Sequence, residues 1–166
     1  MECKIEEMKQ SHWQQVANIY LEGIKTGMAT FETDVPTFEN WNKSHIRSCR
    51  IVASLGDNIL GWGVLSKTSS RCVYEGVAEV SVYIGKKYKG KGIGTIILTK
   101  LIELSENNGF WTLQSGIIKS NVASIALHKR CGFKEIGIRE KIAKMKNGNW
   151  LDIVLMERRS KIVGTD

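Results

Sequence analysis

Lys89-Gly90-Lys91-Gly92-Ile93-Gly94 lies between a strand-like run, Val80-Ser81-Val82-Tyr83-Ile84, and a helix-like run beginning near Thr95. Three glycines at alternate positions leave backbone N–H groups uncovered where a helix starts, and such amides at the positive end of a helix bind phosphate. Strand, phosphate-type loop and helix in succession mark an α/β protein. Residues 85–91 read G-x-x-x-x-G-K, but Gly92 stands where a nucleoside-triphosphate loop needs the Ser or Thr hydroxyl that holds magnesium. Gly90, Gly92 and Gly94 are spaced G-x-G-x-G rather than G-x-G-x-x-G, and no acidic residue closes a following strand about twenty residues on. The dinucleotide fingerprint therefore fails on spacing.

After the loop, Ile93, Ile97, Leu101 and Leu104 form an apolar stripe that stops at Asn107-Asn108-Gly109, which predicts a helix of about three turns. Before it, residues 73–84 alternate as one long strand, and residues 50–55 and 59–65 form strands around the hairpin signal Gly56-Asp57-Asn58. Ser66 to Ser70 is a polar turn. Near the start, Ser11-His12-Trp13-Gln14 reads as a capping box for a helix carrying Trp13, Val16, Ala17, Tyr20 and Ile24 on one face, with Gly23 and Gly27 marking its end. A connecting loop, 26–36, leads to Thr37, which caps a second helix carrying Phe38, Trp41 and His45. Downstream, residues 111–118 make a strand, and Ser120 or Asn121 caps a helix through Lys129 that Gly132 terminates. Residues 134–145 and 150–156 form a hairpin around Asn147-Gly148, a favoured type I′ turn pair. The order β-α-β-β-β-α-β-α-β-β implies an α/β protein with a mixed sheet.

At 166 residues, 42% hydrophobic and 25% charged, with one proline and no linker, the chain is expected to be a single domain over residues 1–166. The net charge of +7 allows a polyanionic partner, and its only dense cationic group, Lys86, Lys87, Lys89 and Lys91, surrounds the glycine loop. Charge concentrated there favours a small polyanion over a nucleic-acid track. Cys3, Cys49, Cys72 and Cys131 are widely spaced without a C-x-x-C pair, so no metal site is expected. Lys4, Glu6, Glu7 and Lys9 interrupt any signal-peptide core, and no run reaches the eighteen or so apolar residues of a membrane span. A cytoplasmic protein with reduced thiols, binding neither nucleic acid nor membrane, is the expectation.

The glycine stretch also fits Gln/Arg-x-x-Gly-x-Gly/Ala, the pyrophosphate loop of the GNAT superfamily of acyl-CoA-dependent N-acyltransferases, with Lys89 in place of Gln or Arg. Lysine keeps a positive charge at a loop that works mainly through backbone amides and the helix dipole. Over roughly residues 5–156 the chain resembles the phosphinothricin and methionine sulfoximine acetyltransferase branch of that superfamily. The resemblance is carried by Ala17-Asn18-Ile19-Tyr20, Ala29-Thr30-Phe31-Glu32, Arg71-Cys72-Val73-Tyr74 and Glu79 through Ile84. It continues through Asn121-Val122-Ala123-Ser124-Ile125-Ala126-Leu127-His128, Cys131-Gly132-Phe133 and Gly148-Asn149-Trp150-Leu151-Asp152.

The resemblance implies a GNAT-type mixed, mostly antiparallel central sheet flanked by helices, acetyl-CoA as co-substrate, no metal and a homodimer with the late hairpin as a possible interface. It implies that the pantetheine arm lies along Val82, Tyr83 and Ile84 as an added strand would, and that Lys89, Gly90, Lys91, Gly92, Ile93, Gly94 and Thr95 cradle the pyrophosphate. Asn121 would contact the pantetheine arm. An ammonium must lose a proton before its nitrogen attacks a thioester, and Glu79 matches the carboxylate proposed as base in that branch. His128 stands where many relatives carry a tyrosine acid, and could protonate the leaving thiolate. For the acceptor, Arg71 would take a carboxylate, with Phe31, Glu32 and Tyr74 lining its pocket. The expected reaction is direct acetyl transfer to the α-amino group of a small amino-acid analogue. The alternatives are another amine, such as a polyamine, an aminoglycoside or a peptide N-terminus, or a non-catalytic CoA-binding module. A covalent route through Cys72 or Cys131 is disfavoured because neither has a base implied nearby in sequence.

Overall fold

A computed structural model describes residues 2–166. Seven strands, β1 (Lys4–Glu7), β2 (Arg50–Leu55), β3 (Asn58–Lys67), β4 (Val77–Ile84), β5 (Thr112–Ile118), β6 (Lys134–Lys144) and β7 (Trp150–Arg159), form one sheet in the order β1-β2-β3-β4-β5-β7-β6. Every neighbouring pair is antiparallel except β4 and β5. Helices α1 (Trp13–Thr26) and α2 (Phe38–Ser44) pack on one face, and α3 (Ile93–Asn107) and α4 (Val122–Arg130) on the other. The mixed, mostly antiparallel sheet flanked by helices is the expected architecture.

Gly61-Trp62-Gly63 on β3 shows how alternation fills the two faces. Successive strand residues point to opposite sides, so Trp62 enters the aromatic cluster under α1 and α2. There it stacks on Tyr83 at 4.6 Å and meets Tyr20 and Trp41 edge-on. Full burial of such a ring is worth about 2–3 kcal/mol. On the other face the two glycines have no side chain: a Cβ at Gly63 would lie 2.6 Å from Ile97, and one at Gly61 2.7 Å from Ile84. The helix α3 therefore seats directly on β3, with Ile97, Leu98 and Leu101 fully buried. That contact fixes where the N-terminus of α3 stands relative to the end of β4.

Four local expectations are corrected. Ser11 caps nothing: residues 10–12 form a 3₁₀ turn closed by the Lys9 N–H donating to His12 Nδ1 at 3.1 Å, and α1 begins after it. The long strand at 73–84 is shorter, because residues 72–74 are a 3₁₀ turn and β4 starts only after Gly76. Trp111 fills the space a Cβ at Gly76 would need, and the Gly76 carbonyl accepts from Trp111 N at 2.8 Å and Thr112 N at 3.1 Å. The third helix starts at Ile93, runs 15 residues, about four turns, and takes Gly92 as its left-handed N-cap (φ 80°). The last hairpin is not a type I′ turn: only Gly148, at φ 88°, is left-handed there, and the loop closes through Gly148 N to Met145 O and Met145 N to Asn149 O. Asn147 instead accepts from Asn149 N, a side-chain turn.

Thr37 and Asn121 do cap their helices, accepting from Asn40 N at 3.3 Å and Ser124 N at 3.2 Å. His45 falls just past α2, where it stacks on Trp41. Among the described residues no helix is long and apolar enough to cross a membrane, and no group of three or more potential ligands is gathered for a metal.

Candidate active site

The parallel register of β4 and β5 covers only Val77 to Glu79 against Thr112 to Gln114. Beyond Glu79 the strands part. Gly85 N donates to Leu60 O at 2.9 Å, and antiparallel alternation then turns the backbone groups of Val80, Val82 and Ile84 away from β3. Those groups face the parted edge, where β5 offers no partner. Just past this edge the chain turns through Gly90 (φ 74°) and Gly92 (φ 80°) into α3. The amides of Ile93, Gly94 and Thr95 have no backbone acceptor, as expected of a helix's first turn. Lys86, Lys87, Lys89 and Lys91 are exposed around them. A free strand edge leading to a cationic helix start suits a ligand with an amide-bearing arm and a phosphate group.

A cleft of about 620 Å³ opens where β4 and β5 separate. Its walls include Glu79 to Tyr83 of β4, residues 114–118 of β5, Asn121, Ser124 and His128 of α4, and the loop 28–32 that leaves α1. This loop is tied across the opening. Asn121 Nδ2 donates to Met28 O at 3.3 Å, Tyr83 donates to Ala29 O at 3.5 Å, and Lys146 of the last hairpin reaches Thr33 at 3.4 Å.

Glu79 sits at the fork itself. Solvent reaches its carboxylate through the open cleft, yet the surrounding protein displaces enough water for desolvation to raise its pKa above the usual carboxylate value. It accepts no side-chain hydrogen bond or ion pair among the described residues. The nearby Tyr83 phenol is pushed up much further, chiefly by burial and then by the Tyr20 and Glu32 charges around it, and stays neutral.

His128 is buried, at 3% exposure, and its ring packs edge-on against Phe133. Its Nδ1 lies 2.7 Å from the Ser124 carbonyl. A carbonyl can only accept, so Nδ1 carries the proton. Burial lowers the pKa of the ring, and Nε2 is itself buried without a hydrogen-bond partner among the described residues. The ring is thus held in the wall between the Ser124 carbonyl and Phe133.

Val82 and Tyr83 line the cleft, while Ile84 points to Gly61 and Gly94. Phe31 and Glu32 line the cleft as expected. Arg71 and Tyr74 do not: they lie on the exposed turn before β4, with the guanidinium 5.7 Å from the centre of the Tyr74 ring. Arg139, on β6, lines the cleft and was not singled out from sequence. No local signal marks it, because it comes from a strand sixty residues beyond Glu79. Cys72 is exposed, and burial raises the pKa of Cys131, so neither thiol is held ready as a nucleophile by a neighbouring base.

A model of the Acetyltransferase (GNAT) family matches residues 13–133. The phosphinothricin N-acetyltransferase of Alcaligenes faecalis is 29% identical over 163 residues, covering 94% of this chain and 82% of that protein. The L-methionine sulfoximine/L-methionine sulfone acetyltransferase of Pseudomonas aeruginosa is 37% identical over 84 residues, 51% of this chain and 48% of that protein. A crystal structure of a GNAT superfamily phosphinothricin acetyltransferase from Sinorhizobium meliloti, in complex with AcCoA, superposes with a TM-score of 0.88 at 25% identity, covering 100% of this chain and 92% of that one.

Proposed function

We propose that this chain, which belongs to the acetyltransferase (GNAT) family and is an N-acetyltransferase, moves the acetyl group of acetyl-CoA to the α-amino group of a small amino-acid analogue. The acceptors of the phosphinothricin, methionine sulfoximine and methionine sulfone type named for its relatives are the reference class. The observation that carries the reading is the fork itself: an unpaired β4 edge running to the amides of α3, with a carboxylate at its apex.

In this reading Val82, Tyr83 and Ile84 lend β4 as a strand for the pantetheine arm to pair with. Lys89 to Thr95 receive the pyrophosphate on amides and lysines, and Asn121 borders the arm while its own amide caps α4 and holds Met28. Acetyl-CoA supplies a thioester carbonyl. Glu79, directly or through a water, takes a proton from the acceptor ammonium, the freed lone pair forms the new C–N bond as the C–S bond breaks, and the second proton leaves the new amide nitrogen for the departing CoA thiolate or water. A raised pKa suits this task, since a base nearer the working pH transfers protons more effectively. The β4 amides that face the cleft are placed to polarise the thioester oxygen. His128 enters as a packing residue of the cleft wall, its Nδ1 held by the Ser124 carbonyl. Phe31 and Glu32 form the acceptor wall.

The reading includes a single domain, a cytoplasmic setting and a homodimer, for which the exposed apolar side chains Ile138 and Trp150 of the last hairpin offer a surface. Thiol release from acetyl-CoA, followed with methionine sulfoximine, methionine sulfone, phosphinothricin, spermidine and a peptide amine in parallel, tests it. Turnover of at least one of the first three over the last two is expected. Release with only the last two would overturn the acceptor class, and none with any would overturn the transferase reading.

A further inference from the structure

We infer that Arg139 anchors an acid group of the acceptor, an assignment that rests on the amino-acid reading above. Of all the residues lining the cleft, Arg139 is the one lysine or arginine. Among the described residues its guanidinium makes no ion pair and no side-chain hydrogen bond, so its planar fork of donors is free to take a carboxylate or phosphinate in two parallel bonds. Two carboxylates, those of Glu32 and Glu79, line the same cleft. An acceptor carrying both an ammonium and an acid matches a cleft charged in this way, whereas a polyamine does not.

The strand that presents Arg139 is bent to do so. A regular β6 would reach the cleft at every second residue, but the residues that line it are Ile136, Arg139, Ile142 and Ala143. Two register shifts against β7, between Glu135 and Gly137 and between Arg139 and Ala143, change the spacing. Within the second, Lys141 adopts φ 46°, a left-handed conformation unfavourable for a side chain with a Cβ, and its N–H donates to the Asp152 carboxylate at 2.8 Å. Irregularities of this kind re-aim side chains beside sites. The register also puts the two charges on one side of the sheet. Glu79 pairs with Gln114 and Arg139 with Ile153, which pairs with Ile118. Gln114 and Ile118 lie four residues apart on β5, so Glu79 and Arg139 project from the same face.

The test uses the full-length enzyme with methionine sulfone, its α-carboxamide and phosphinothricin. For Arg139→Gln we expect kcat/KM on methionine sulfone to fall about 10- to 100-fold through KM. The fall on the carboxamide should be at least tenfold smaller, the KM for acetyl-CoA unchanged, and Arg139→Lys intermediate. A fall confined to phosphinothricin supports the anchor with the side-chain acid, rather than the α-carboxylate, as its ligand. An unchanged ratio of acid to amide for every acceptor overturns the assignment and leaves the acceptor class standing. A wild-type enzyme that turns over no acid-bearing acceptor overturns both.

Discussion

Along β4 and the start of α3 the site is built from backbone: an unpaired strand edge, glycines at positive φ and helix amides without acceptors. Beside it, around the loop 28–32 and β6, the cleft is built from side chains that α1, the loop after it, β5, α4, β6 and β7 bring together. The backbone half occupies about fifteen consecutive residues, 80–95, and keeps its geometry wherever those residues fold as strand, turn and helix. The side-chain half exists only when α1, β5, α4, β6 and β7 all hold their places against one another. A substitution in the first half should therefore disturb the cofactor alone, and one in the second the acceptor alone, with Glu79 at the junction touching both.

The sharpest way to break that division is at the junction. Glu79→Gln should lower kcat by about 10²- to 10⁴-fold and abolish the acid limb of the pH–rate profile. In the wild type that limb should lie above the ordinary carboxylate value of 4.5, because desolvation holds the proton on Glu79 to higher pH. The linkage has the opposite sign for stability. A folded-state pKa raised above the unfolded one means stability is lost as pH rises through it, so Glu79→Gln should melt no lower than wild type at pH 7. A variant that is both inactive and unstable would make Glu79 a structural residue.

Gly92→Ala probes the backbone half. The added Cβ meets no atom within 4 Å, so the cost comes from φ 80° alone, about 1–2 kcal/mol. The KM for acetyl-CoA should rise about tenfold if that strain is relieved by turning the loop amides away, with the acceptor KM unmoved. A matching rise in acceptor KM would show that the halves are not separable.

Asn121→Ala removes a cap and a cross-cleft bond together. A loss of about 1 kcal/mol is expected, read as a fall of about 2–4 °C in Tm. Arg71→Gln should do least. The side chain is exposed and outside the cleft walls, so acceptor KM should stay within about twofold, the range of an ordinary surface change. A large rise in acceptor KM would return the carboxylate role to Arg71.

How much could be read in advance follows the same division. Strand-like runs around the Gly56-Asp57-Asn58 signal and at 111–118, and the Asn121 cap before Gly132, placed β2, β3, β5 and α4 within a residue or two, because each of these signals lies inside or beside its own element. The register error at 73–84 arose because residues 73–76 alternate like strand while Gly76 serves a distant Trp111. At 147–148 the Asn-Gly pair reads locally as a complete two-residue turn, whereas the loop spans Met145 to Asn149.

By itself the sequence determined the glycine loop, the strand before it, the helix after it, and the ligand chemistry that uncovered amides and clustered lysines imply. These are local properties: φ at a glycine and amides at a helix start do not depend on what packs far away. Tertiary structure alone decided that β4 and β5 part after Glu79, that His128 is buried against Phe133, and that Arg139 rather than Arg71 lines the cleft. Those outcomes depend on strand register, burial and a bulge pinned by Asp152, and the parting of β4 and the aim of Arg139 are set by residues distant in the chain.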